Sequence, residues 1–129
     1  MNKTILIVAT IFGILAIILG AFAAHGLEEL IDEDAIKSFE TGVRYQMYHA
    51  FLLLILGATN MVSPKAKKQV FFFVILGLIC FSGSIYGLAT NDLTTFDFKK
   101  IALITPFGGV FLIIAWVTLL IGIIRNKAD

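Results

Sequence analysis

Histidine and cysteine, the side chains that most often serve as general base, transition-metal ligand or nucleophile, are few: two histidines, His25 and His49, and one cysteine, Cys80. They have polar company at defined places. His25, Arg44, Tyr45, Tyr48, His49, Ser84, Tyr86 and Thr105, with Ser82 nearby, all fall toward the ends of long apolar runs. Tyr45 and His49 are spaced i, i+4, as are Arg44 and Tyr48, so each pair shares a face of one helix. The group has the chemistry of a shallow binding site, in which a guanidinium fork meets an anionic headgroup and phenols and imidazoles supply hydrogen bonds. A metal centre is a poorer fit, because two imidazoles would need distant carboxylates to complete the ligand set. General-base chemistry at His49 lacks a neighbouring nucleophile or cofactor motif. No Walker, Rossmann or HExxH signature occurs. No catalytic residue, metal or cofactor is therefore assigned. A structural reading stays open beside the binding one: tyrosines anchor membrane interfaces, His49 is a hydrogen-bonded core histidine, and His25 ends a helix.

The elements that must position these residues follow from where the charges are. In 129 residues, 59% are hydrophobic and only 15% charged, and the mean hydropathy is +0.96. A soluble domain has about 25% charged residues. All 19 charges lie outside four stretches, 4–24, 45–62, 70–90 and 101–124. Each is long enough to cross an apolar layer about 30 Å thick as a helix. Continuous runs such as Phe71-Phe72-Phe73-Val74-Ile75-Leu76 lack the alternation of a barrel strand. The expected fold is all-α, a single-domain four-helix transmembrane bundle. The first stretch has a rival reading as a signal peptide, with Lys3 before the apolar run and Ala21-Phe22-Ala23 as a cleavage site. The run is long for that role. A net charge of +1 gives no basic field for nucleic acid.

The longest connection is strongly acidic at its start (Glu28, Glu29, Asp32, Glu33, Asp34) and then turns helical. Ile36, Phe39, Val43, Met47 and Ala50 make one apolar face, and Glu33, Lys37, Glu40 and Arg44 line the other, with Lys37–Glu40 and Glu40–Arg44 as neighbours. This predicts an amphipathic outer extension, capped by Asp34, that begins helix 2 and continues to about residue 62, with Gly42 as a weak point. At that length helix 2 measures about 44 Å. Small residues prescribe the seams: Ala9, Gly13, Ala16, Gly20 and Ala23 on helix 1, Gly77, Cys80, Ser84 and Gly87 on helix 3, Ala102, Thr105, Gly109 and Gly122 on helix 4. Cys80 belongs to that packing. Pro106 either breaks helix 4, freeing carbonyls for a polar pocket, or sits in its first turn, where proline costs nothing.

Lys3, Lys65, Lys67, Lys68, Arg125 and Lys127 fall on one side of such a bundle, and Lys37, Arg44, Lys99 and Lys100 on the other with eight of the nine acidic residues. By the positive-inside rule both termini face the cytoplasm.

Four blocks carry a family resemblance. Gly20-Ala21-Phe22-Ala23-Ala24-His25-Gly26-Leu27 resembles the "GAFGAHGL" signature of domain-of-unknown-function family 423, small bacterial membrane proteins of the YgdD/YwdK type. Thr41 to His49, Phe81 to Tyr86 and Thr105 to Gly109 agree with it as well, and Ala23 replaces the usual glycine. The resemblance implies a four-helix protein of the bacterial inner membrane and no established reaction. It points to His25, Tyr45, His49, Ser84, Tyr86 and Pro106 as motif positions. Together these readings lead to a structural or interaction protein that binds membrane lipid, another membrane protein or a second copy of itself. The alternatives are an oligomeric small-solute carrier or channel and an enzyme acting on a lipid or quinone.

Overall fold

The computed structural model describes residues 1–126, which form four long helices joined by short turns. Helix α1 spans Lys3–His25 and starts where Asn2 Oδ1 accepts the Ile5 N–H at 3.1 Å. Helix α2 spans Glu33–Ala58. Its cap is Asp32, whose Oδ1 accepts the Ala35 N–H at 2.8 Å, and not Asp34, which with Glu33 lies inside the first turn. Carboxylates there suit the positive end of the helix. The helix stops four residues short of the expected end, at 26 residues. Helix α3 spans Pro64–Ala89, opened by the Ser63 hydroxyl accepting from Ala66 N–H, with proline where no N–H is needed. Helix α4 spans Ile104–Arg125. Pro106 thus stands in its first turn, so the broken-helix reading falls away, and residues 98–101 form a separate 3-10 turn.

Two features interrupt this regularity. Residues Ile79–Gly83 make a π-helical turn within α3, and Gly42 does not kink α2, which runs through it as continuous helix. The outer extension of α2 carries one ion pair among the described residues, Lys37 Nζ to Glu33 Oε1 at 3.6 Å. Lys37–Glu40 and Glu40–Arg44 do not pair. The Lys37–Glu33 pair is exposed and contributes little.

Helices α2 and α3 lie side by side at the centre, with α1 packed chiefly on α2 and α4 chiefly on α3. The start of α1 and the end of α4 share one end of the bundle; His25, the start of α2, the end of α3 and the start of α4 share the other. The main core joins Ile5, Leu53, Leu56, Val70, Val74 and Ala115, and a second cluster of Ala23, Leu27, Phe39 and Ala89 seals the far end. On α1 the buried small residues are Ala9, Ala16 and Ala23, seven apart, a coiled-coil spacing. Gly13, expected on that seam, has nothing within 4 Å of the position a Cβ would take. The close approaches lie elsewhere. A Cβ on Gly77 would come 2.6 Å from Leu112, and one on Gly108 only 2.3 Å from the Phe81 backbone nitrogen. Gly108 therefore lets α4 lie backbone to backbone against the π turn.

By length and composition α1 with its following turn, α3 and α4 can each cross a membrane. Helix α2 does not meet that measure, because Arg44, Gln46 and His49 interrupt its apolar run. Two of those three point inward.

Candidate functional site

The buried face of α2 reads Phe39, Gly42, Gln46, His49, Leu53, Leu56, a three-four alternation characteristic of a helix seam. The expected apolar face of Ile36, Phe39, Val43, Met47 and Ala50 is rotated away from this: Phe39 and Ala50 are buried, while Ile36, Val43 and Met47 are only partly so. Polar Gln46 and His49 occupy core positions instead. The physical reason is that an apolar side chain costs nothing against lipid, whereas an amide or imidazole there lacks a partner.

Gln46 joins three helices. Its Nε2 donates to the Phe12 carbonyl of α1 at 2.8 Å, and its Oε1 accepts from the Tyr86 hydroxyl of α3 at 2.7 Å. Tyr86 packs at a tilt against Phe39 with ring centroids 4.9 Å apart, and its ring fills the notch left by Gly42. One turn earlier in α3, inside the π segment, Ser82 Oγ donates to the Gly42 carbonyl at 2.8 Å. A β-carbon at Gly42 would sit 2.7 Å from the Tyr86 ring, so this glycine is required by contact and not for bending.

His49 joins α2 to α4. Its Nδ1 lies 2.7 Å from the Tyr45 carbonyl, and the Trp116 indole N–H donates to its Nε2 at 3.1 Å. A carbonyl only accepts and an indole only donates, so both bonds are made by one tautomer, the neutral ring protonated on Nδ1. The rings meet edge on, 6.1 Å apart. Ser84 and Thr105 form a third link, between α3 and α4, through their hydroxyls. Ser84 already donates to the Phe81 carbonyl at 3.0 Å, which makes Thr105 the donor in that pair. Among the described residues no buried side-chain nitrogen or oxygen is without a partner.

The eight residues expected to share one site thus divide. His49, Ser84, Tyr86 and Thr105 are spent in separate inter-helix bonds. Tyr45 is 39% and Tyr48 55% exposed. Their rings lie 5.9 Å apart, with Tyr45 also 4.9 Å from Phe81. Arg44 is exposed and donates only to its own neighbour Thr41 Oγ1 at 3.0 Å. His25 is exposed at the end of α1 and bonds to none of these groups. It does not join a network with His49. Residues that sequence reasoning left out of the polar group are Gln46 and Trp116. The spacing 42–46–49–53–56 was the available signal for Gln46; nothing local marks Trp116 as a partner for His49, 67 residues away.

A helical bundle with three helices long and apolar enough to cross a membrane, and with polar groups paired inside it, defines a small integral membrane protein. The chain belongs to the family described as "Protein of unknown function (DUF423)", whose model matches residues 19–109. It is similar to the UPF0382 inner membrane protein YgdD of Escherichia coli (strain K12), 35% identical over 98% of this chain and 93% of that one. The UPF0382 membrane protein of Haemophilus influenzae is 33% identical over 98% of both chains. UPF0382 membrane protein YwdK of Bacillus subtilis (strain 168) is 33% identical over 95% of this chain and 98% of that one. No solved structure matches.

Proposed function

We propose that the protein is an interaction protein of the bacterial cytoplasmic membrane that binds a membrane lipid or a membrane-protein partner through Arg44, Tyr45 and Tyr48 on the exposed face of α2. One observation carries this reading: the polar groups inside the bundle are used up in holding helices together, while these three remain outward at one level of the bundle. Tyrosine suits the headgroup boundary, with an apolar ring and a polar tip. Arginine adds a planar fork for a phosphate or carboxylate. His49, with both ring nitrogens engaged, serves the scaffold that presents this strip. We place all four helices across the membrane, with both termini cytoplasmic. The placement is supported by Lys3, Lys65, Lys67, Lys68 and Arg125 at the termini end and by the acidic residues 28–34 at the other.

Mass spectrometry of the gently solubilised protein tests the strip. The expected result is a lipid or protein that stays bound to the native chain and is lost from an Arg44→Gln/Tyr48→Ala variant of unchanged thermal stability. Identical bound species in both forms would overturn the assignment.

A further inference from the structure

The termini end of the bundle holds a second feature that the α2 strip does not use. Lys67 is only 7% exposed, yet it carries an ammonium with three protons. One goes to the Thr59 carbonyl at 2.7 Å, which covers the end of α2. No carboxylate pairs with it among the described residues, and the eight side-chain carboxylates among them, at positions 28, 29, 32, 33, 34, 40, 92 and 97, belong to the opposite end of the bundle. A buried cation without an anion is costly. Lys67 borders an open cavity of about 620 Å³ that Lys68, Asn2, Asn60 and Asn126 also line. A second cavity of about 470 Å³ adjoins it, lined by Lys65, Gln69 and Arg125. Ser63 and Asn126 belong to both. Asn126 forms the divide by donating from Nδ2 to the carbonyls of Asn60 and Met61, at 3.0 and 2.8 Å, which fixes the end of α4 on the α2–α3 turn. The result is two neighbouring hollows, each with its own pair of cations and amide donors, at the end of a membrane bundle.

We propose that this end binds the headgroup of an anionic membrane phospholipid, and that a headgroup with two phosphates spans both hollows. Phosphate is the fitting anion because it accepts from ammonium, guanidinium and amide donors at once. A lipid supplies it at this depth, since basic pockets between helix ends face the headgroup layer. Lys67 and Lys68 take one phosphate; Lys65 and Arg125 take the other. Asn126 and Ser63 stand between them toward the bridging glycerol. The buried Lys67 ammonium, which no carboxylate pairs among the described residues, gains a counter-charge on binding.

The test uses the whole protein in neutral detergent, titrated separately with tetraoleoyl cardiolipin, dioleoyl phosphatidylglycerol, dioleoyl phosphatidylcholine and inorganic phosphate. Native mass spectrometry reads occupancy and thermal unfolding reads stabilisation. Cardiolipin is expected to bind more tightly than phosphatidylglycerol, and phosphatidylcholine and free phosphate to leave the protein unchanged. Each surface cation removed costs about fivefold in affinity, so Lys68→Gln/Arg125→Gln is expected to lose about 25-fold for cardiolipin. Lys99→Gln/Lys100→Gln, which removes two cations from the opposite end, where the α2 strip also lies, retains it. Equal affinity for the two anionic lipids would overturn the two-hollow assignment. Equal binding of phosphatidylcholine, the same stabilisation by free phosphate, or an equal loss in the Lys99/Lys100 variant would overturn the site.

Discussion

Gly108→Ala should damage this protein far more than one methyl group ordinarily does. A Cβ at that position would lie 2.3 Å from the Phe81 nitrogen, 2.6 Å from the Cys80 carbonyl carbon and 2.8 Å from the Phe81 Cα. All three are backbone atoms, so no side chain can rotate aside. Ordinary contact begins at 3.4 Å, and α4 must therefore retreat from the π turn by about an ångström. A gap of that size forfeits about a quarter to a half of the dispersion energy along the opened seam. In lipid no hydrophobic force between helices compensates. The expected cost is about 3 kcal/mol, the upper end for overpacking. Gly13→Ala is the matched control: nothing lies within 4 Å of its Cβ position, and alanine gains up to about 1 kcal/mol in helix propensity. Thermal unfolding of both variants in one detergent, followed by circular dichroism, should separate them, with Gly108→Ala melting well below the parent and Gly13→Ala at or above it. Equal melting of the two would refute the seam argument.

Tyr86→Phe leaves Gln46 Oε1 without its partner and should cost about 0.6 to 1.7 kcal/mol, the range for hydrogen bonds between membrane helices. Adding Gln46→Leu should cost less than the sum of the single changes, and strict additivity in denaturant unfolding would show that the pair is not coupled. Trp116 is the single tryptophan, so His49→Leu, which removes the acceptor of its indole N–H, should shift fluorescence emission to shorter wavelength; an unchanged spectrum would exclude that bond. For orientation, Glu29→Cys and Lys68→Cys in a Cys80→Ala background should differ toward an impermeant thiol reagent on intact cells, with Glu29→Cys labelled. Lys68 is chosen because Lys67 is buried; labelling at position 68 alone would reverse the topology.

The sequence by itself determined the class and the helix count. Four charge-free stretches separated by turns leave a chain in lipid no choice but helices, since every backbone amide must be paired within its own segment. The acidic residues before α2 acted locally, which is why that start was legible even though the capping carboxylate is Asp32; α3 begins at Pro64, six residues ahead of its charge-free stretch, because lysines are free to occupy a first helical turn that lies outside the lipid. The tertiary structure decided which way each helix faces. In water the apolar stripe marks the inside, and that habit chose Val43 and Met47; in lipid the polar residue needs the interior, and Gln46 and His49 took it. It also decided the partners. Trp116 for His49 and the Gly108 contact with the π turn depend on how far α4 slides along α3. That register is set by backbone contact between distant segments, and no spacing within one helix encodes it.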